Sequence, residues 1–407
     1  MMARLLKKNI TNYAWFQFSS SLFGWLPVFF LFFNQFVGLS DVILLGAFYY
    51  FCVCICEVPS GYLSDRIGRR ITLLIASYAF ILSNLAFIIA DGFALLVLGQ
   101  FFLAMGMAML SGTDTAFLYD SLLSAKREQE YAAHEARGQA YAMTGLAISS
   151  LIGGALGMYD LRWPYYFSLL GSCWMLWLVW HFIEPMAHRI DRTIESSFLE
   201  TIGECIRHLK DRMLAWLFAV MILMYSLEHV VYEFYQPYIK LLGIDFLSND
   251  SSPLVSGVVI AASMFGGTIG ATYSVRLNKK LGIKVLLFSA FAIQLTIIAS
   301  ISVSLSYFML CMVVLRNFPM AMIHAPVNAA IAPRIGSHLR ASYLSVQSLS
   351  ARLAFSGLLL VLSTLVPDVP TIGWENLSLV LRSALLYGII GVLVIVIMSP
   401  SLKKSGR

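Results

Sequence analysis

The chain has 407 residues, 59% of them hydrophobic and only 12% charged, with a formal net charge of +6 and a mean hydropathy of +0.78. A soluble domain carries about 25% charged residues, so this chain has too little polar surface to cover itself in water, and a water-soluble globular class is excluded. Lipid is its natural solvent, where a helix needs about 20 apolar residues to cross the hydrocarbon.

In chain order, Met1 to Lys8 is short and basic, and a long apolar stretch follows from Tyr13. No small-residue cleavage site follows it, so a retained first span is expected and not a removed signal peptide. Apolar runs and the polar breaks between them predict twelve helical spans at 12–37, 41–62, 71–90, 93–120, 138–159, 164–183, 213–237, 253–275, 284–305, 307–332, 341–366 and 376–398. The fold class is therefore an all-α polytopic membrane protein. The longest break, Glu184 to Arg212, carries an amphipathic pattern in Phe198, Ile202, Ile206 and Leu209, as a helical linker at the membrane surface would. Three parts follow: a six-helix bundle over 1–183, a linker over 184–212 and a second six-helix bundle over 213–407.

Charge orients the spans. With the N-terminus cytoplasmic, 23 of the 28 Lys and Arg residues fall on that side, Arg162 and Lys240 fall outside, and Arg316, Arg352 and Arg382 lie within spans. Such a bias places both termini in the cytoplasm. Of the six cysteines, Cys52, Cys54, Cys56, Cys173 and Cys311 lie in apolar runs and Cys205 in a polar loop. Only Cys52 and Cys56 of the first three share a helix face, with no His or carboxylate at ligand spacing, so packing and not metal binding is expected.

Between the second and third spans the sequence reads Gly61-Tyr62-Leu63-Ser64-Asp65-Arg66-Ile67-Gly68-Arg69-Arg70. This resembles the G-x-x-x-D-R-x-G-R-[RK] loop signature of the major facilitator superfamily, in the family's own position, and Glu57-Val58-Pro59-Ser60, Gly112-Thr113-Asp114 and Tyr119-Asp120-Ser121 are similar to a bacterial drug or metabolite branch of it. The resemblance implies two six-helix bundles and a conformational latch of Gly61, Asp65, Arg66, Gly68, Arg69, Arg70 and Asp120. Gly61 allows close helix approach, Asp65 faces the positive end of a helix, and Arg69 reaches Asp120. A degraded echo, Arg276-Leu277-Asn278-Lys279-Lys280-Leu281-Gly282, follows the eighth span without the aspartate, as two parallel repeats would leave. Two features of drug and proton antiporters in this family are missing: Leu98-Gly99-Gln100 stands where an Arg is common, and the fifth span has no Gly-Pro pair.

Ionisable groups within spans are expensive and mark function by default. Here they are Glu57, Asp114, Glu228, Glu233, Arg316, Arg352 and Arg382, with His229 and His324. The family implies that spans one, four, seven and ten line the cavity. Tyr225, His229, Tyr232 and Gln236 recur at helical spacing on span seven, flanked by Glu228 and Glu233, and His229 can pair with Glu233 four residues on. Span ten adds Arg316, Asn317, His324 and Asn328 and is interrupted by Pro319 and Pro326, which free backbone carbonyls; Arg316 is suited to an anionic group or to offsetting Glu228. Gln17, Trp25 and Asn34 of span one, with Asn12 and Ser19 to Ser21, suit an uncharged or amphipathic solute. An ion pair of Glu57 or Asp114 with Arg352 would close the inner side, and protonation would weaken it. Glu57, Asp114, Glu228 and Arg352 are thus the expected proton-coupling or gating residues.

No zinc-ligand helix motif, oriented nucleophile or G-x-x-x-x-G-K-[ST] loop occurs, so neither an enzyme nor an ATP-driven pump is expected. The expected function is a secondary carrier of a small organic solute, working by alternating access in the bilayer of the inner membrane. It needs no cofactor or metal, is driven by the proton gradient, has no nucleic-acid partner and acts as a monomer. Efflux of drug-like or natural-product molecules and uptake of a nutrient, metabolite or siderophore both remain open, with a non-transporting membrane sensor as a remote third.

Overall fold

The computed structural model describes residues 2–185, 198–246, 249–335, 337–366 and 373–400. Arg189, Arg192, Lys403, Lys404 and Arg407 of the charge argument lie outside the described residues. The helices are α1 (Met2–Ser20), α2 (Phe29–Phe33), α3 (Leu39–Ile67), α4 (Arg69–Ile88), α5 (Phe93–Leu110), α6 (Thr113–Ser124), α7 (Tyr131–Gly157), α8 (Trp163–Trp180), α9 (Phe198–His208), α10 (Arg212–Leu241), α11 (Ser252–Leu281), α12 (Ile283–Val303), α13 (Tyr307–Val313), α14 (Asn317–Ile331), α15 (Ser337–Thr364) and α16 (Trp374–Met398). A two-residue antiparallel pair, Asp245–Phe246 with Asn249–Asp250, joins α10 to α11. Among the described residues ten helical segments are long and apolar enough to cross a membrane. The broken α1–α2 segment and α8 take the first and sixth places, which gives the twelve-span order.

Three predicted spans are not single helices. Span one breaks over 21–28, where Gly24 and Pro27 interrupt the apolar run and short turns such as Ser21 N to Phe18 O and Val28 N to Trp25 O replace the helical ladder. Span four breaks between α5 and α6 at Gly112, whose φ of +74° suits glycine. Span ten breaks between α13 and α14, with Arg316 just before the first residue of α14. Hydropathy averaged over a span passes over such breaks: Phe93–Ser124 and Tyr307–Arg334 each still read as one apolar segment.

Other helices run longer than predicted. The second continues through the signature to Ile67, so the expected loop between spans two and three is Gly68 alone, with φ +106°. Polar residues do not end a helix, and Arg66 in the last turn suits its negative end. The same thing happens at the echo, where α11 is helical to Leu281 and Gly282, φ +77°, is the joint to α12. Cys205, expected in a polar loop, lies on α9 with 1% of its surface exposed, because the amphipathic helix turns that face onto α15.

Contact density divides the chain into one compact unit of Met1–Glu195 with Gly243–Ala261 and another of Ser196–Leu242 with Ala262–Arg407. In the first, α7 packs on α1 and the break after it through glycines. A Cβ on Gly145 would stand 2.7 Å from Phe18 O, one on Gly153 would stand 1.9 Å from Gly24 O, and one on Gly157 would stand 2.7 Å from Val28 Cγ1. Backbone thus lies on backbone, the small-residue packing that membrane helices favour. Asn9, 1% exposed, ties α1 to its neighbours by donating to Ser121 Oγ and Ile183 O while accepting from Ile183 N. In the second unit, Trp216 Nε1 donates to Ile395 O at 2.9 Å and pins α10 to α16.

Candidate functional site

The joint at Gly68 is built from four elements of the first unit. The opening N–H groups of α4 have no helical acceptor. The carboxylate of Glu184, just past α8, supplies one to each of two: Arg69 N donates to Oε1 at 2.7 Å and Arg70 N to Oε2 at 2.8 Å. An anion at a helix N-terminus gains from both the hydrogen bonds and the aligned peptide dipoles. The Arg69 side chain reaches the other way, with Nε 3.2 Å from Asp120 Oδ2 on α6 and Nη1 donating to Ser64 Oγ on α3 at 2.8 Å. Arg70 Nη2 donates to Trp180 O at 2.9 Å, and Arg66 is exposed. The side-chain surroundings of Gly61 and Asp65 lie outside what is described.

Arg69 and Asp120 are only 17% and 16% exposed, so removing the carboxylate strands a partly buried cation. Asp120→Ala is expected to cost about 1–3 kcal/mol, read as a lower thermal midpoint of the purified protein, and Asp120→Asn, which keeps an acceptor, is expected to cost less.

A second polar group lies on α1 and α6. Tyr13 and Gln17 sit one turn apart, and Gln17 Nε2 donates to Tyr13 Oη at 2.6 Å and to Asp114 Oδ2 at 2.7 Å. Asp114 opens α6, and just before it Ser111 Oγ donates to Glu57 Oε1 at 3.1 Å. Both predicted carboxylates are therefore anchored beside the break in span four, Asp114 by Gln17 and Glu57 by Ser111. Trp25 lies in the span-one break, its ring 5.6 Å from that of Phe23 and 6.3 Å from that of Phe29. Asn34 turns back on its own chain and donates to Val37 O at 3.1 Å.

The third group belongs to the second unit. Tyr225 and His229, one turn apart on α10, stack at 3.8 Å. His229 Nδ1 is 2.9 Å from Glu228 Oε2 and 3.0 Å from Tyr225 O. Arg316, carried in by the break in span ten, has Nη1 3.7 Å from Glu228 Oε1 and its guanidinium carbon 5.0 Å from the Tyr232 ring centre and 5.8 Å from that of Tyr235. The Phe355 ring of α15 closes on His229 at 5.5 Å. Tyr225, Glu228, His229 and Tyr232 keep some exposed surface, whereas Glu233 is 8% exposed and Gln236, which donates to Tyr235 Oη at 3.2 Å, has none. The upper part of the predicted stripe is thus packed inside the unit. Asn317 Nδ2 lies 3.8 Å from Met264 Sδ. Asn328 is partly exposed, His324 is exposed, Arg352 is half-buried on α15, and Arg382 Nε donates to Ser302 O at 3.4 Å.

Sequence reasoning missed Glu184, Tyr13, Ser64, Ser111, Tyr235 and Phe355. Only Glu184 left a trace, as an acidic residue directly after an apolar span and directly before Pro185.

A family model described as Major Facilitator Superfamily matches residues 13–358. An uncharacterized transporter of Rickettsia felis is 27% identical over 215 residues, which cover 52% of this chain and 50% of that protein, so the match spans about half the relative's length. Among solved structures, a mutant of the nucleoside transporter NupG is similar with a TM-score of 0.79 at 12% identity, covering 98% of this chain and 100% of that one. A D-xylose–proton symporter is similar with a TM-score of 0.68 at 14% identity over 99% and 98%.

Proposed function

Because this chain belongs to the Major Facilitator Superfamily and is a membrane transporter of that type, we propose that it is a proton-coupled secondary carrier moving a small organic solute by alternating access, with efflux as its direction. The observation that carries the coupling is Asp114. It lies in a segment, Phe93–Ser124, apolar enough to span a membrane, and its side-chain donor is the neutral Gln17 at 2.7 Å. Among the described residues no ion pair involves it. A charged carboxylate within a span costs about 2.5–3.5 kcal/mol, and a neutral amide offsets that less than a cation would. Such a group takes up a proton readily when its surroundings change, which is what coupling requires. Glu57, held by Ser111 at the same break, is the second candidate. The carrier works as a monomer in the inner membrane, both termini cytoplasmic, without a cofactor.

Uptake of a nutrient, metabolite or siderophore is the second reading, favoured by Gln100. It stands where proton-coupled exporters commonly carry an arginine, and it is 5% exposed with Nε2 3.4 Å from Leu45 O.

The test uses the purified chain in pyranine-loaded liposomes, challenged with compounds that distinguish deletion from overexpression strains at sub-inhibitory dose. Wild type is expected to move protons when a transported compound is added, and Asp114→Asn and Glu57→Gln to lose that coupling by at least about tenfold, the scale of 1.4 kcal/mol. Unchanged coupling in both variants rejects the proton reading, and the sign of the proton flux separates exchange from symport.

A further inference from the structure

Glu228 and Arg316 are an unequal pair. The guanidinium carries five N–H donors and is 3% exposed, yet the nearest carboxylate oxygen is at 3.7 Å, outside hydrogen-bond distance. Among the described residues its Nε has no hydrogen-bond partner. The other oxygen of Glu228 is committed to His229 at 2.9 Å. The guanidinium also lies over the faces of Tyr232 and Tyr235, which attract it but accept no hydrogen bond along its edge. A buried arginine is ordinarily matched by a planar anion in fork geometry, and here that place is only half filled. The surface that stays open beside it is aromatic: Tyr225 stacked on His229, with Tyr232 at 6.0 Å from the imidazole. Glu228 and His229 are 15% and 20% exposed, so the group can be approached.

We propose that Arg316, Glu228, His229, Tyr225 and Tyr232 form a receptor for the carboxylate of an aromatic acid. Arg316 takes the carboxylate, and the rings of Tyr225 and Tyr232 flank the aromatic part. Glu228 keeps Arg316 weakly paired when the receptor is empty and competes with the incoming acid. A single guanidinium beside one fixed carboxylate suits a monoanion and disfavours a dianionic phosphate, since the second negative charge would meet Glu228 unopposed. The proposal names a substrate class for the carrier and rests on that reading for transport, but not for binding.

The test is thermal melting of the full-length purified protein, followed with a thiol-reactive fluorophore that reports the buried Cys205 and Cys52. The probes are benzoate, 2-naphthoate, indole-3-acetate and 4-hydroxyphenylacetate, each against its uncharged primary amide. At least one acid is expected to raise the midpoint by several degrees while its amide does not. Arg316→Gln is expected to abolish the shift, Arg316→Lys to keep part of it, and Glu228→Gln to tighten the apparent Kd by about tenfold, the scale of one removed charge contact. The inference is overturned if no acid in the series shifts the midpoint, if amides match acids, or if Arg316→Gln retains the shift. Should Arg316→Gln fail to fold, Glu228→Gln decides, because weaker binding there contradicts the competition. Proton-coupled flux of some other solute with no acid binding would reject this receptor alone, whereas acid binding with no flux of any kind would reject the carrier reading alone.

Discussion

Gly153→Ala is expected to lower the thermal midpoint of the purified protein more than any other single-methyl change in the first unit. The added carbon would stand 1.9 Å from the carbonyl oxygen of Gly24 and 2.6 Å from its carbon. Both contacts are with backbone, which cannot swing aside as the end of a side chain can. Overpacking a well-packed interior typically costs about 1–3 kcal/mol, and a collision between two main chains lies at or above the top of that range. Relief would require α7 to move off the break at 21–28 and would disturb the contacts at Gly145 and Gly157 together. The matched control is Gly357→Ala on α15, where an added Cβ meets none of the described residues within 4 Å. There alanine is expected to gain about 0.5–1 kcal/mol through helix propensity. Equal midpoints for the two variants would show that α7 and α1 do not approach this closely.

The joint at Gly68 is the second place where a single methyl has large consequences. At φ +106° and ψ 152° an L-residue is strained, at about 1–3 kcal/mol. An added Cβ would also meet the Glu184 carboxylate at 2.7–2.9 Å and push it off the amides of Arg69 and Arg70. Gly282 separates the two effects, because it has φ +77° and ψ 156° at the equivalent joint and none of the described residues within 4 Å of an added Cβ. Gly282→Ala therefore carries strain alone, and Gly68→Ala carries strain plus the lost cap, worth about 1.5–3 kcal/mol for a charge-assisted contact. Melting is expected to rank Gly68→Ala below Gly282→Ala, with Glu184→Ala below Glu184→Gln, since the amide keeps one acceptor. If Gly68→Ala and Gly282→Ala melt alike, Glu184 does not cap α4.

Hydropathy and charge made the twelve-span order legible, since each is a sum over many residues and tolerates local error. Where the chain turns within a span is another matter. Gly112 and Arg316 sit inside segments, Phe93–Ser124 and Tyr307–Arg334, that are apolar enough on average to span a membrane, and only backbone geometry locates the turns. Contacts were legible where a motif names a partner, as with Arg69 and Asp120, or where residues recur on one helix face, as with Tyr225 and His229. Spacing pairs His229 with Glu233, whereas the structure sets it 2.9 Å from Glu228. Contacts were not legible where a side chain comes from a remote helix. The amides of Arg69 and Arg70 meet a carboxylate more than a hundred residues on, and Gln17 meets Asp114 at a separation of 97, with no periodicity to connect them. Along the span-seven stripe, spacing marks a face of α10 but not its exposure: Tyr232 keeps some open surface, and Gln236 one turn on has none.

The glycine seam of α7, from Gly145 to Gly157, is made of uncharged contacts with the start of the chain. Its contacts at Gly145, Gly153 and Gly157 are carbonyls and aliphatic carbons, deaf alike to acidity and to ionic strength. Asp114, the proposed proton site, is tied to α1 by the amide of Gln17 and, through it, the phenol of Tyr13. Beside them, Gly138 would place a Cβ only 2.6 Å from the Tyr13 ring. On the proposed coupling, a change at Asp114 would act on the end of that helix pair that lies away from the glycine seam.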